Sequence, residues 1–269
     1  METQYDQGEA RAVLRLLFER RYGLAWTDVL CDGIVLLPEE KQRQLSSDLQ
    51  QLEQGIPVQY VMGEALFHGE WFHVTDSVLI PRPETEELVD AVLEDDASTS
   101  SMLDIGTGSG CIAISCAHEC PNWHVCAFDI SKEALQVAQE NAARLNADNI
   151  IFHNIDILQH EPDCCEKWNI IVSNPPYICY KEKTEMEHHV TDYEPGLALF
   201  VPDDDPLLFY KAITTYAIRT LLTRGRLLFE VNRTYAHDVA KLLENRGFTD
   251  VFIRKDQFDN ERIIGGRWQ

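Results

Sequence analysis

The chain has 269 residues, 45% of them apolar, which is enough for one large domain with a smaller companion and too apolar for a disordered chain. Its 23 Lys and Arg stand against 45 Asp and Glu, a net charge of -22, so the surface repels phosphate backbones and lacks the basic footprint of a nucleic-acid binder. No apolar run approaches the about 20 residues of a membrane span, and the start METQYDQGEARAVLRLL lacks a signal peptide's basic beginning and apolar core. The expectation is a cytoplasmic protein with no membrane contact.

Residues 9–22, EARAVLRLLFERRY, carry an apolar stripe at Val13, Leu14, Leu16, Leu17 and Phe18 that predicts a helix. A short helix is expected over AWTDVL. A third is expected from Pro38, a suitable first-turn proline, to a stop at Gly55. None is long enough to be stable alone. Residues 1–64 therefore read as a small helical domain, serving either to recognise a substrate or to cover a flank of the larger domain. ALFHGEWFHVTDSVLI (65–80) is aromatic and β-branched around His68-Gly69 and reads as a β-hairpin, with 65–83 as the linker. Pro81 and Pro83 break the strand, a helix follows from Glu84, and EDDASTSS is a polar loop.

From residue 102 the rhythm changes. Strands are expected at MLDIG, HVCAFDI, IIFHNID, WNIIVSN and GRLLFEV, with helices from Ser109, after the N-cap Ser131, over 206–222 and over TYAHDVAKLLENRG. Near-continuous apolar strands alternating with helices predict an α/β fold whose mostly parallel sheet is covered on both faces. DVFIRKD and RIIGGRW follow one another with no helix between them, so one of this pair is expected to be antiparallel at the sheet edge. Residues 84–269 form this second domain.

LDIGTGSG places Gly106, Gly108 and Gly110 at the first strand-to-helix turn, where glycine lets backbone pass close to a ligand. Nucleotide, dinucleotide and S-adenosylmethionine sites all use such a turn. Asp129 ends the second strand, where an acid accepts from ribose hydroxyls, and Ser131 can cap the next helix in its place. The spacing Gly-x-Gly-x-Gly is not the dinucleotide pattern. Asp104 ahead of it resembles the first motif of S-adenosylmethionine methyltransferases, where it either shapes the loop or meets the methionine end of the cofactor.

Asn174-Pro175-Pro176-Tyr177 ends the fourth strand. Two prolines fix φ and push the residue before them into extended backbone. The free groups of this stiff edge are mostly acceptors, the Asn174 side-chain oxygen and the Pro175 carbonyl. Two acceptors on a rigid edge suit the two N–H donors of a planar NH2, in an amide or in adenine or cytosine, and Tyr177 adds a flat face.

The motifs IPRPETEELV, LDIGTGSG, FDIS, SNPPYI, YEPGLALFV and DNERIIGGR, in this order, resemble the bacterial glutamine-N5 methyltransferase family that modifies peptide chain release factors. The resemblance implies a class I S-adenosylmethionine methyltransferase fold with a seven-stranded, mostly parallel sheet. It further implies that Gly106, Thr107, Gly108, Ser109 and Gly110 wrap the cofactor, that Asp129 binds its ribose, and that Asn174, Pro175, Pro176 and Tyr177 hold the glutamine of a Gly-Gly-Gln loop. Asn174, Pro175 and Tyr177 are the expected catalytic residues, with Asn174 also beside the cofactor. Where the family often has a tryptophan at the adenine, Ile157 follows Asp156, keeping an apolar wall without the aromatic. Arg82 and Glu84 either close the cofactor pocket or tie the domains together. The expected partner is a release factor, with no direct nucleic acid and no metal, and the enzyme is expected to be monomeric.

The alternatives are a glutamine methyltransferase of a ribosomal protein, an adenine-N6 methyltransferase of nucleic acid, and a cofactor sensor without catalysis. The eight cysteines show no CxxC pair and read as small buried hydrophobes. Cys116, His118 and Cys120 lack metal-ligand spacing, and His188-His189 with Glu185 and Glu187 read as solvated loop residues rather than a metal site. CYKEKTEMEHHVTDYEPG reads as a polar lid or partner-facing loop.

Overall fold

The computed structural model describes residues 7–31, 33–94, 101–163, 166–186 and 188–269. The chain divides into two compact units, one of residues 1–65 with 186–193 and one of residues 66–185 with 194–269. In the first unit, helices span Gln7–Leu17, Trp26–Leu30, Glu39–Glu53 and Val58–Met62. Pro38 stands one residue outside its helix, as the N-cap. Leu17, Phe18, Leu45, Leu52 and Val61 make the interior. The carboxylate of buried Asp48 is met by the Arg21 guanidinium at 2.7 Å and the Tyr22 hydroxyl at 2.6 Å, so the charge is paired as burial demands. The segment expected as a polar loop instead forms a 3-10 turn, Tyr180–Glu185, and a helix, His188–Tyr193, whose Tyr193 hydroxyl donates to the Gln54 carbonyl. Glu187 and the side chains of Glu185 and His188 lie outside the described residues.

Strands Glu64–Phe67 and Glu70–His73 form the expected hairpin, turning at His68-Gly69 with φ of 47° and 80°. It is shorter than 65–80. Past His73 the backbone turns at Thr75, whose carbonyl accepts from the Val78 N–H, and Val78 and Ile80 are buried outside any strand.

The second unit holds the sheet. Its strands are β1 (Ser101–Ile105), β2 (His124–Asp129), β3 (Ile150–Asn154), β4 (Trp168–Ser173), β5 (Leu221–Glu230), β6 (Thr249–Lys255) and β7 (Glu261–Arg267), in the spatial order β6-β7-β5-β4-β1-β2-β3. The first five run parallel, and β7 is antiparallel to both its neighbours. The antiparallel strand is therefore not at the edge, as expected, but one place in. The helix after β5 carries the chain past a strand-wide gap before β6 is laid down. The tight return at Asp256, whose carboxylate accepts from the Phe258 and Asn260 N–H groups, then brings β7 back into the gap.

Among the described residues the sheet is covered by α1 (Pro83–Leu93), α2 (Cys111–Glu119), α3 (Lys132–Arg144), α4 (Leu208–Thr220) and α5 (Ala236–Asn245). Strand alternation divides the core. Met102, Ile170, Val172 and Leu228 pack with Leu88, Ile112 and Ala142 of α1, α2 and α3, while Leu103, Ile105, Ile171 and Phe229 pack with Tyr210, Ile213, Val239 and Leu243 of α4 and α5. Burying each large side chain of this kind contributes about 1.5–3 kcal/mol. Helix α1 is held at its far end by Arg226, whose buried guanidinium donates to the Ala91 and Val92 carbonyls.

Cys111, Cys116, Cys126 and Cys179 are buried as expected, Cys31 is exposed, and Cys164 and Cys165 lie outside the described residues. His118 bonds the Leu145 carbonyl, and among the described residues no three His, Cys, Asp or Glu gather as metal ligands. Among the described residues no helix is long and apolar enough to cross a membrane.

Candidate active site

The strand order reverses between β1 and β4. The chain leaves β1 toward α2 on one face and leaves β4 toward α4 on the other, which opens a crevice at their carboxyl ends. A cavity of about 370 Å³ lies there, within the size range of small-molecule sites. Its wall includes Gly106, Gly108, Asp129, Ile157, Asn174, Pro175 and Pro176. Seven expected site residues thus meet in one space. Thr107, Ser109, Gly110 and Tyr177 are not in the wall.

The glycine turn shows why. Gly106 and Gly108 have φ of 77° and 54°, and a Cβ on either would point into open space. Gly110, at φ 82°, faces inward, where a Cβ would come within 2.9 Å of the Ile114 side chain and 3.2 Å of the Ala138 Cβ, so it serves close packing of α2 on α3. Positive φ at Gly110 also delays the helix to Cys111, two residues after the expected Ser109.

Most of the loop's own N–H groups are spent. Those of Gly106 and Thr107 donate to the Phe128 carbonyl, that of Gly108 to Asp129 Oδ2 and that of Gly110 to the Thr107 carbonyl. A phosphate cradle needs such donors free. This turn presents space and little donor capacity, and so suits a ligand without phosphates.

Asp129 is not left free by Ser131, contrary to expectation. Ser131 does cap α3, accepting from the Ala134 N–H, yet Asp129 also accepts from the Gly108 and Ser131 N–H groups, each at 2.9 Å. Burial pushes its carboxyl upward and those two donors oppose the push. Each oxygen has accepted one bond and keeps capacity for another, and Asp129 is part of the cavity wall. β3 ends at Asn154, short of the expected Asp156. Asp156 accepts from the Leu158 N–H and the Gln159 side chain, bending residues 155–158 into a turn that sets Ile155 and Ile157 in the wall.

Asp104 lies beneath the loop, fully buried, and takes the Thr107 hydroxyl at 2.6 Å. It is absent from the cavity wall, so it shapes the loop. Burial pushes its carboxyl up to about 7, against the Thr107 hydrogen bond and with the help of the Asp129 charge. A carboxyl held up in the folded chain binds its proton more tightly there than when unfolded. Its stabilising contribution is full below a pH of about 4 and lost as pH rises through about 7. Asp104→Asn keeps an acceptor for Thr107 and cannot ionise. Its melting temperature relative to the parent should climb between about pH 4 and pH 7 and level off above that in paired thermal scans, and a flat difference would show that Asp104 does not titrate there.

Arg82 and Glu84 are also outside the wall. The Arg82 guanidinium pairs at 2.5 Å with buried Glu194, which also takes the Ile80 N–H. Glu194 thereby joins two lining segments, Ser77–Leu79 and Pro195–Ala198. Behind Asn174 stand two residues that the sequence did not single out, Thr85 and Glu230. The Asn174 Nδ2 donates to Thr85 Oγ1 at 3.2 Å, and the Thr85 hydroxyl donates to Glu230 Oε2 at 2.6 Å.

A seven-stranded sheet with one antiparallel strand, a glycine turn beside an acid at its centre and Asn-Pro-Pro-Tyr across the crevice together define a methyltransferase. Residues 84–191 match the family described as "Methyltransferase small domain". A methyltransferase from Pyrococcus furiosus shares the fold, with a TM-score of 0.52 at 15% identity over 86% of this chain and 98% of that one. Residues 3–63 match the "PrmC N-terminal domain". The release factor glutamine methyltransferase of Bacteroides thetaiotaomicron is 42% identical over 98% of this chain and 95% of its own length. That of Flavobacterium psychrophilum is 42% identical over 97% and 92%. The chain belongs to the release factor glutamine methyltransferase family.

Proposed function

We propose that this enzyme moves a methyl group from S-adenosylmethionine to the side-chain amide nitrogen of the glutamine in the Gly-Gly-Gln loop of peptide chain release factors. The observation that carries this reading is the shared wall. The rigid acceptor edge Asn174-Pro175-Pro176 and the open glycine turn with Asp129 face one cavity. The names of the relatives point to the substrate.

The residues fit such a cofactor. Gly106 and Gly108 leave room at the backbone, Asp129 has lone pairs for ribose hydroxyls, and Ile155, Ile157 and Phe209 offer an apolar wall for adenine. When bound, the cofactor supplies a methyl already activated by its sulfonium. The chain's work is to orient the nitrogen. The Asn174 Oδ1 and the Pro175 carbonyl accept the two N–H groups of the amide, while Tyr177, outside the cavity wall, donates its hydroxyl to Glu230 behind them. An amide nitrogen is a poor nucleophile because its lone pair is delocalised. Two hydrogen bonds aim it and favour its loss of planarity, which is positioning combined with stronger binding of the transition state than of the ground state. The N-terminal domain, residues 1–64, recognises the protein around the loop. A release factor is a cytoplasmic substrate, so the reading carries the enzyme to the cytoplasm.

Incubation with methyl-labelled cofactor and intact release factor should place label on the Gly-Gly-Gln glutamine. The isolated loop peptide should be labelled far more weakly if residues 1–64 recognise the protein. Label on a ribosomal protein or on nucleic acid, with none on the release factor, would overturn the substrate assignment.

A further inference from the structure

Asn174 can act as an acceptor only if its carboxamide is the right way round, because oxygen and nitrogen exchange places when the group flips. Its surroundings decide the matter. Thr85 in the first turn of α1 and Glu230 at the end of β5 are both buried, with exposures of 3% and 2%. Glu230 takes two hydroxyls, Thr85 on Oε2 at 2.6 Å and Tyr177 on Oε1 at 3.2 Å. A carboxylate only accepts, so both hydroxyls must donate to it. The one hydrogen of Thr85 is then committed, and its oxygen can only accept. Asn174 must therefore turn its NH2 toward Thr85, as it does at 3.2 Å, and its oxygen toward the cavity. Among the described residues no group donates to that oxygen.

This chain of bonds requires Glu230 as a carboxylate, although on balance its carboxyl is held above the usual range. Burial pushes the Glu230 carboxyl up, and the Thr85 hydroxyl, the Arg262 guanidinium and the Tyr177 hydroxyl pull it back, while Glu84 opposes them. Burial and the Glu230 charge push the Tyr177 phenol upward, which keeps its proton available to donate.

We propose that Thr85 and Glu230 are positioning residues that fix the polarity of the Asn174 carboxamide, so that its oxygen rather than its nitrogen meets the substrate NH2. The inference deepens the proposed function and rests on it for the identity of that NH2. It also gives PRPETE a role at the site, because that motif delivers Thr85. Helix α1 is pinned by Pro83 at its start and Arg226 at its end, so the hydroxyl arrives on a fixed element.

Two readouts test it, one of them independent of any substrate. In protein labelled with 15N on asparagine, the Asn174 carboxamide resonance is identified by its loss in Asn174→Asp. It should shift and exchange faster with solvent in Thr85→Val and in Glu230→Gln, whose amide can itself donate and so no longer forces the chain of bonds, and should return in Thr85→Ser. In the methylation assay Thr85→Val should lower kcat roughly 10–100-fold with unchanged cofactor affinity, and Thr85→Ser should restore it. If Thr85→Val does not fold, Glu230→Gln and Thr85→Ser carry the same readings. An unmoved resonance overturns the proposal, as does a moved one with turnover kept. If the parent protein does not methylate release factor, the proposed function fails, while the resonance still decides the polarity of Asn174.

Discussion

Replacing Asn174 by alanine should lower turnover on release factor roughly 10²–10³-fold, the cost of losing one preorganised hydrogen-bonding group in an active site, and leave cofactor affinity close to that of the parent. The backbone should not follow the side chain. Pro175 and Pro176 hold their φ without it, and the buried Ser173 hydroxyl ties the end of β4 to the Ile105 carbonyl at 2.6 Å. The Pro175 carbonyl therefore stays in place as one acceptor of the pair. What is lost is the second acceptor, and with it the nitrogen's orientation. Gly106, Gly108 and Asp129 on the other side of the cavity are untouched. Single-turnover transfer of labelled methyl measures the first quantity, and calorimetric titration with the cofactor measures the second. Turnover within about threefold of the parent would remove Asn174 from the chemistry. A matching loss of cofactor affinity would make it a cofactor ligand instead.

Much of this site is readable in one dimension because its parts are local. Gly106 and Gly108 adjoin β1, Asp129 ends β2, and Asn174 to Pro176 follow β4. A parallel sheet brings strand ends together without any further information. The residues that support them are not local. Thr85 and Glu230 are 145 positions apart, and Arg82 and Glu194 are 112 apart. Thr85, Glu230 and Glu194 taken alone read as ordinary polar side chains near a proline or a strand end, and Arg82, though marked by its motif, does not name its partner. The same limit explains Asp129. Its distance from the glycines marks it as a ligand-facing acid, but only three-dimensional proximity reveals that the Gly108 N–H already uses it. Element boundaries slipped where side-chain chemistry overruled periodicity. The Asp156 carboxylate bent IIFHNID after Asn154, and the Thr75 carbonyl closed the hairpin early. The position of β7 was hidden for a topological reason, since a hairpin fixes which strands are neighbours but not on which side the second one lands.

Asn141→Leu should produce the largest loss of stability of the changes considered, on the order of 3 kcal/mol. Nothing about Asn141 stands out in the α3 sequence, where it follows Glu140 on an amphipathic helix. In the fold it is fully buried, and its carboxamide is held from three directions. Oδ1 takes the His73 N–H at 2.6 Å, and Nδ2 donates to the His73 and Ser109 carbonyls, each at 2.9 Å. One side chain thus joins the end of the hairpin, the glycine turn and α3. Leucine is of similar size and fills the space, so the loss is not one of packing. It removes three hydrogen bonds, to the part-buried His73 N–H and carbonyl and to the buried Ser109 carbonyl, and each such loss costs about 1–3 kcal/mol where the group is stranded, partly relieved by water or local movement. For a chain of this size that corresponds to a drop in melting temperature of about 6–12 °C. Gln136→Ala on the same helix breaks only an exposed bond to Glu140 and should change stability by less than about 0.5 kcal/mol. The comparison separates buried hydrogen bonding from helix propensity. Because the Ser109 carbonyl anchors the turn that carries Gly108, the leucine variant should also bind cofactor more weakly at temperatures where it is still folded. A variant that melts with the parent would show that the three backbone groups find other partners and that Asn141 does not hold the turn.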